Sequence, residues 1–212
     1  MDISHLKINF LGDSITMGAR ASVPENSFFG RLQAKYPDAV MRNYGVGGSC
    51  ISNACIWETP GFIPRAEEMD PDADLVVVFG GTNDYYCCCP PGQWGDKTAD
   101  TFYGACWVLF DKLLRVYHGK TVAVVTPLHR QNEVSTLCRE KPTVAPLKCY
   151  VEILKESAEF FGFPVIDLFA TSGLQPEIAY LREAYFPDGL HLNDAGHEIL
   201  FRRMDGALKN LY

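Results

Sequence analysis

Short apolar runs alternate along this chain with longer amphipathic segments. The runs span residues 6–11, 39–44, 75–79, 121–126 and 164–168. The third run, Leu75–Phe79, is apolar at every position, which is typical of a central strand that helices cover on both faces. The alternation therefore predicts an α/β fold in which helices connect the strands of a parallel sheet.

Three amphipathic segments predict helices. Residues 101–117 and 147–161 carry apolar residues at helical spacing, and Gly162 is typical of a residue that ends a helix. Asn193 or Asp194 can cap a last helix near the end of the chain. No repeat, linker or change in composition divides the sequence, so a single domain over residues 1–212 is expected.

The charge of the chain excludes some classes of partner. It carries 26 acidic and 19 basic residues, a net charge of −7, whereas binding to nucleic acid or anionic lipid depends on clustered Lys and Arg. No apolar run approaches the roughly 20 residues that span a bilayer. Residues 1–7 lack the basic and apolar regions of a signal peptide, so a cytoplasmic location is expected. The sequence is compatible with a homo-oligomer.

The eight cysteines predict reduced, partly buried thiols rather than four disulfides, because a chain of this length can build a sufficient apolar core. No Cys-x-x-Cys pair occurs, and the side chains of the adjacent Cys87, Cys88 and Cys89 diverge, so no zinc or other metal is expected. No basic residue flanks these three cysteines to activate a thiolate, which disfavours a cysteine-based enzyme.

Two clusters contain the residue types of a nucleophile and its base. Ser14 follows the first predicted strand, and a serine hydroxyl attacks a carbonyl only when a base removes its proton. The spacing of Asp188 and His191 lets the carboxylate reach the imidazole Nδ1, which leaves Nε2 for the serine. Taken separately, Ser14 is also compatible with a turn or a helix cap, and His191 with a structural histidine.

Two further clusters follow the second and third predicted strands. Gly45, Gly47 and Gly48 can bring backbone N–H groups close to a substrate oxygen or can form a turn, and their spacing fits no nucleotide-binding motif. Asn83 can donate a hydrogen bond to an oxyanion or can form an Asx turn. Together the four clusters supply every component of acyl transfer at one edge of one sheet.

These four stretches, in this order, resemble the four sequence blocks of the SGNH (GDSL) hydrolase superfamily, and the resemblance covers essentially the whole chain. It implies a flavodoxin-like, three-layer α/β/α sandwich with a five-stranded parallel sheet. It also implies that Ser14 is the nucleophile, His191 the base and Asp188 the acid that orients the base.

The same resemblance implies the oxyanion donors, which would be the backbone N–H groups of Ser14 and Gly48 and the side chain of Asn83. The functional glycine of the family lies five residues after an Asn, which selects Gly48 rather than Gly47. All positions of the family pattern are occupied by the matching residue types.

Other residues near these clusters have less specific expectations. Asp84 could support Asn83 or contact substrate, and His129 and Arg130 follow the fourth predicted strand and could face the pocket. Arg130 would then hold an anionic or sugar group, although an ion pair with an acidic residue is an alternative. His197 lies six residues after His191, whereas metal-binding helical pairs use a spacing of four, so a structural role is expected. Tyr85, Tyr86 and Trp94 could line a pocket or anchor their loop.

The expected activity is hydrolysis of a carboxylic ester through an acyl-enzyme, without a cofactor. The 84–98 loop is polar and forms no apolar lid, which favours short acyl groups, such as acetyl on a carbohydrate or small molecule, over the substrates of a lysophospholipase or short-chain lipase. A non-catalytic carbohydrate-binding protein on a hydrolase scaffold is the alternative from another class.

Overall fold

The computed structural model describes residues 3–134, 137–138, 141–142 and 144–211, and only the backbone of 137–138 and 141–142. Five parallel strands form the main sheet, as the family resemblance implied. They are β1 (Lys7–Gly12), β2 (Val40–Gly45), β3 (Leu75–Phe79), β4 (Thr121–Val125) and β7 (Val165–Ile166). A short antiparallel pair, β5 (Leu137–Cys138) and β6 (Lys141–Pro142), lies between β4 and α6. Residues 135–136, 139–140 and 143 of the same stretch lie outside the described residues.

The helices are α1 (Ser14–Met17), α2 (Phe28–Lys35), α3 (Phe62–Glu68), α4 (Thr82–Tyr86), α5 (Phe102–Val116), α6 (Leu147–Phe161), α7 (Leu168–Thr171), α8 (Ala179–Tyr185) and α9 (Asp194–Lys209), with a 3₁₀ turn at Pro24–Asn26. The three predicted helices correspond to α5, α6 and α9. Gly162 ends α6 with φ of +69°, and the Asn193 side chain caps α9 by accepting the N–H of Gly196 at 3.0 Å. In the part of the chain that is described, no helix is long and apolar enough to cross a membrane.

The strand order is β2-β1-β3-β4-β7, and helices pack on both faces of the sheet. Strand β3 shows this arrangement, because Val76 and Val78 belong to one apolar core and Leu75, Val77 and Phe79 to the other. The first core is completed by α3, α5 and α6, and the second by α2 and α9. The chain therefore forms the three layers that the resemblance implied.

Strands β2, β1 and β3 end at the same level. Gly12, the last residue of β1, pairs with Gly45 of β2 and with Phe79 of β3. The segments that carry Ser14, Gly48 and Asn83 each follow one of these ends. The parallel register therefore brings together three segments that are far apart in sequence.

His197 on α9 is a buried structural residue, as the sequence predicted. Its Nδ1 accepts the N–H of Phe28 at 3.3 Å, and its Nε2 lies 3.2 Å from the carbonyl of Ala19. This pattern requires the neutral imidazole to carry its proton on Nε2. Burial lowers the pKa of His197 below its ordinary value of 6.5.

Replacing His197 tests this interpretation through the pH dependence of stability. Because the unfolded chain binds the proton more readily than the fold, stability is full above the unfolded pKa and falls as the pH drops through it. The wild type should lose up to roughly 1.4 kcal/mol of unfolding free energy per pH unit below about pH 6.5 because of this residue. In urea unfolding, His197→Gln should show a smaller loss, whereas His118→Gln at an exposed position should match the wild type.

Candidate active site

Ser14 is the first residue of α1, directly beyond the end of β1. The preceding Asp13 caps this helix through its Oδ1, which accepts the N–H of Ile15 at 2.9 Å. Burial raises the pKa of Asp13 to about 7. The role of this carboxyl group is therefore to accept the hydrogen bond that caps the turn. The Ser14 side chain is mostly buried and lines an open cleft.

A hydrogen-bonded chain runs from Ser14 to Asp188. The Oγ of Ser14 lies 2.9 Å from Nε2 of His191, and Nδ1 of His191 lies 2.8 Å from Oδ2 of Asp188. Both are ordinary hydrogen-bond distances. The serine and the histidine that meet here are 177 residues apart in sequence. The structure thus brings together the three residues that the sequence analysis selected, in the predicted order.

The carboxylate of Asp188 is held by its own loop. Its Oδ1 accepts the backbone N–H groups of Leu190 and His191 at 3.1 and 2.8 Å. Partial burial alone would raise the pKa of Asp188, but the hydrogen bonds from His191 and Leu190 outweigh burial and lower it to about 2. Asp188 is therefore ionised at any ordinary working pH.

Gly48 lies in the loop that follows β2, in the left-handed backbone region with φ of +76°. A Cβ at this position would lie 3.1 Å from Cε3 of Trp57, so the indole ring covers the Gly48 backbone closely. Gly47 and Gly48 both line the cleft beside Ser14. The left-handed backbone therefore favours a glycine at position 48, and the nearby indole leaves little room for a side chain.

Asn83 lies in the first turn of α4, and its side chain also lines the cleft. Its Nδ2 donates a hydrogen bond to the carbonyl of Ser49 at 2.9 Å, which ties α4 to the loop that carries Gly48. A side-chain amide has two N–H donors, so one such bond leaves a second donor on the same nitrogen.

Asp84 lies beneath the cleft rather than in it. Its side chain is 0% exposed and accepts hydrogen bonds from the backbone N–H groups of Ile51 and Ser52 and from the Ser52 hydroxyl, at 3.0, 2.8 and 2.6 Å. The expectation of a substrate contact is therefore wrong for Asp84, because burial and these three donors withdraw the carboxylate from the cleft. Its other expected role, supporting Asn83, agrees with this position.

His129 also does not line the cleft. Its Nδ1 lies 2.9 Å from both carboxylate oxygens of Glu133, and its ring packs against Phe169 with 3.9 Å between the ring centroids. The expectation that His129 contacts substrate is therefore not supported. Arg130 does line the cleft, although only 9% of its surface is exposed.

Arg130 packs against α4. Its Nη1 donates to the carbonyl and to Oγ1 of Thr82, both at 3.3 Å, and its guanidinium lies 5.5 and 5.1 Å from the ring centroids of Tyr85 and Tyr86. These contacts fix the helix that carries Asn83. The interaction of Arg130 with α4 was not predicted from the sequence.

The walls of the cleft are aromatic and aliphatic. Trp57 and Tyr86 stack in parallel, with ring centroids 5.8 Å apart and planes inclined by 4°, and Leu190 lies beside the His191 loop. The cleft has a volume of about 580 Å³ and is completed by Thr59 and the residues already described. Tyr86 is thus one of the pocket-lining aromatics that the sequence suggested, and Trp57 is a wall residue that it did not.

Arg65 on α3 is a second residue that sequence reasoning missed. It is buried, and its guanidinium donates to the carbonyls of Tyr44, Pro60 and Gly61 and to the Ser49 hydroxyl. Burial lowers its pKa to about 10. Four acceptors around one guanidinium hold the loop after β2 against the ends of the strands.

Comparisons with known proteins identify the family of this chain. The sequence profile of the GDSL-like lipase/acylhydrolase family matches residues 10–199. A solved structure from Lactobacillus plantarum superposes with a TM-score of 0.86 at 26% identity over the full length of both chains. The chain has no significant sequence match among curated proteins.

More distant solved structures share the fold. The lipase/acylhydrolase from Enterococcus faecalis has a TM-score of 0.67 at 22% identity, with 96% of this chain and 95% of that chain covered. An acetyl xylan esterase has a TM-score of 0.65 at 21% identity, with 96% and 100% covered.

Removing the buried Asp84 carboxylate should destabilise the fold. Asp84→Ala leaves three buried donors without their acceptor, and we expect a loss of about 3 kcal/mol in the free energy of unfolding. Asp111→Ala is the matched control, because Asp111 forms an ion pair with Arg115 on the surface of α5, and such pairs contribute about 1 kcal/mol or less. Urea unfolding measures both variants, and equal losses would contradict the role given to Asp84.

Proposed function

Because the chain belongs to the GDSL-like lipase/acylhydrolase family, we propose that it is a serine esterase that hydrolyses carboxylic esters through an acyl-enzyme on Ser14. The observation that carries this proposal is the hydrogen-bonded chain from Ser14 through His191 to Asp188, with distances of 2.9 and 2.8 Å. A serine hydroxyl in contact with an oriented imidazole is the arrangement that nucleophilic acyl transfer needs.

In the first half of the reaction, Ser14 Oγ attacks the ester carbonyl while Nε2 of His191 takes the hydroxyl proton. The ionised carboxylate of Asp188 accepts the Nδ1–H, keeps the imidazole in the required tautomer and stabilises the imidazolium. The imidazolium then returns the proton to the departing alkoxide, which leaves as the alcohol. The acyl group remains on Ser14.

The oxyanion of the tetrahedral intermediate is assigned to the space between three donors. These are the backbone N–H groups of Ser14 and Gly48 and the side-chain amide of Asn83, all of which belong to residues that line the cleft. Loss of one such donor in other hydrolases costs roughly 3–4 kcal/mol of transition-state stabilisation. The hydrogen bond from Asn83 to Ser49 supports the assignment, because it fixes the amide beside the Gly48 loop before substrate arrives.

In the second half, a water molecule attacks the acyl-enzyme, and His191 again acts as the base. The tetrahedral intermediate collapses, the acid leaves and Ser14 recovers its proton. None of these steps requires a metal or an organic cofactor.

The shape of the cleft supports short acyl groups such as acetyl on a carbohydrate or small molecule. Its walls are set by the Trp57–Tyr86 stack and Leu190, and its volume of about 580 Å³ suits a compact ester. The 41% exposure of Trp57 leaves an aromatic surface for a ring or a compact alcohol. We assign Arg130 to the polar side of this alcohol, because this residue lines the cleft.

Replacing the nucleophile tests the proposal directly. Ser14→Ala should lower kcat for p-nitrophenyl acetate by about 10⁴-fold or more, because the hydroxyl is the atom that becomes acylated. Ser172→Ala is a matched control, since that buried serine hydroxyl accepts the N–H of Leu174 instead of contacting a histidine. A fluorophosphonate probe should label the wild type and the control at one serine and leave Ser14→Ala unlabelled. Substantial turnover by Ser14→Ala would end the proposal, and a wild type that resists labelling would favour the non-catalytic binding protein.

The length of the preferred acyl chain is a separate prediction. With p-nitrophenyl esters, kcat/KM for acetate should exceed that for octanoate by about tenfold or more, because each misplaced methylene changes binding by roughly 1 kcal/mol or more. Rates measured with Ser14→Ala provide the background for each ester. A preference for octanoate would instead support the lysophospholipase or short-chain lipase alternative.

A further inference from the structure

Two thiols lie side by side behind the cleft. The Sγ atoms of Cys50 and Cys87 are 3.7 Å apart, with Cys50 fully buried and Cys87 half-buried. None of the seven cysteines whose side chains are described is in a disulfide. Since a disulfide has a sulfur–sulfur distance near 2.05 Å, the two atoms need to approach by roughly 1.7 Å to form one.

The two cysteines belong to the two segments that carry the assigned oxyanion donors. Cys50 lies two residues after Gly48, and the Cys87 N–H closes the end of α4 by donating to the carbonyl of Asn83 at 2.7 Å. The same segments already meet where Asn83 donates to Ser49. A covalent bond between Cys50 and Cys87 would therefore connect the supports of two donors.

The other thiols around the cleft have different neighbours. Cys55 Sγ lies 3.5 Å from the Gly48 carbonyl, Cys88 Sγ lies 4.0 Å from the Tyr86 carbonyl, and Cys89 Sγ lies 3.5 Å from the Pro90 carbonyl. Among the cysteines with described side chains, the contact between two sulfurs is that of Cys50 with Cys87. This contact distinguishes the pair from thiols that would be oxidised singly.

We propose that Cys50 and Cys87 form an oxidisable dithiol, which peroxides convert to a disulfide, and that closing this bond lowers the turnover of the neighbouring site. The effect on turnover rests on the proposed esterase function, whereas formation of the disulfide does not. This assigns to the pair a site of reversible covalent modification.

The chemistry starts at Cys87, because its sulfur is the more accessible of the two. The Cys87 thiol loses its proton, and the thiolate attacks one oxygen of hydrogen peroxide. The O–O bond breaks to give a sulfenic acid and hydroxide, which takes up the released proton as water. The Cys50 sulfur then attacks the Cys87 sulfur, releases its proton and displaces the hydroxyl group as a second water. Overall, two thiols lose two electrons and two protons while one peroxide is reduced to two waters.

The environment of Cys50 suits the resolving role. Its contact with Cys87 and its burial both raise the pKa of the Cys50 thiol, so Cys87 rather than Cys50 is the sulfur that reacts first with peroxide. Cys50 then attacks the oxidised Cys87 sulfur, which lies 3.7 Å away.

Closing the disulfide should disturb the oxyanion donors. The backbone has to move to provide part of the 1.7 Å approach, because Cys50 is fully buried and its side chain has little room to rotate. Since a displacement of about 1 Å at a site can cost roughly 100-fold in rate, we expect kcat to fall at least tenfold. Treatment with dithiothreitol should restore it.

The experiment first asks whether the bond forms. The wild-type protein is treated with hydrogen peroxide, quenched, digested without reduction and analysed by mass spectrometry. The expected result is a peptide pair joined between Cys50 and Cys87, with loss of two hydrogens from the intact mass. A bridge between other cysteines, or oxidation of Cys87 to a sulfinic acid without a bridge, overturns the proposal.

Activity is then measured on the same samples, with Cys87→Ser as the test variant and Cys149→Ser as the control on α6. Peroxide should lower kcat of the wild type and of Cys149→Ser, reversibly, and should leave Cys87→Ser unchanged. If the bridge forms and kcat stays constant, the proposed effect of the disulfide on turnover is wrong. If the reduced wild type hydrolyses no ester at all, the proposed function has failed. The peptide mapping still decides whether the disulfide between Cys50 and Cys87 forms.

Discussion

Gly12 pairs with Gly45 on one side and with Phe79 on the other, so β2, β1 and β3 end level, and the rest of the site depends on this register. Helix α1 lies directly on these ends. A Cβ on Gly12 would fall 2.0 Å from Oγ1 of Thr16, and one on Gly45 would fall 2.3 Å from the N atom of Met17. The close approach of α1 therefore needs strands that end in glycine, and it places Ser14 between the segments of Gly48 and Asn83.

The loop after β2 depends on buried charged groups for its shape. Residues 46–61 form neither helix nor strand, so their backbone N–H and C=O groups need partners from elsewhere. Asp84 from α4 accepts from Ile51 and Ser52, and Arg65 from α3 donates to one carbonyl just before the loop and to one at its last residue. Because these charged groups are buried, each is stable only with its full set of partners. That requirement makes the loop, and with it Gly48, rigid enough to present a donor.

Much of this arrangement could be predicted from sequence because the signals are local. The apolar run Leu75–Phe79 defines the central strand, and Asp188 and His191 interact across three residues of chain. Arg65 could not be found in this way, because an arginine in a short amphipathic segment is usually a surface residue, and only the tertiary fold surrounds it with carbonyls. Pro64 in the first turn was the available signal for α3 itself.

Asp84 shows where residue chemistry alone misleads. A carboxylate next to a predicted oxyanion donor suggests a contact with substrate, but Thr82–Tyr86 forms helix α4 rather than a simple turn. The helix directs Asn83 to the cleft and Asp84 to the buried loop. The direction of a side chain depends on whether its segment is a helix or a turn, and the short polar stretch Thr82–Asp84 does not decide between them.

The assembly of Ser14 with His191 needs only one long-range alignment, because Asp188 and His191 form a local unit. Asp188 is oriented by N–H groups within its own turn, and this turn leads directly into α9. The first turns of α9 dock on the segment that follows α1. Asp194 accepts from Asn26 at 2.9 Å, and the buried His197 connects to Ala19 and Phe28.

These contacts connect the chain after the serine to the chain after the histidine. The surface ion pair of Arg20 with Asp188, at 3.2 Å, adds little to this alignment because Arg20 is largely exposed. The neutral, buried His197 thus contributes more to this alignment than the surface ion pair does. Its two ring nitrogens hold α9 to Ala19 and Phe28 at fixed distances, in a position that water does not reach. The 2.9 Å contact between the hydroxyl and the imidazole follows from how α9 packs, and not from any attraction between Ser14 and His191 themselves.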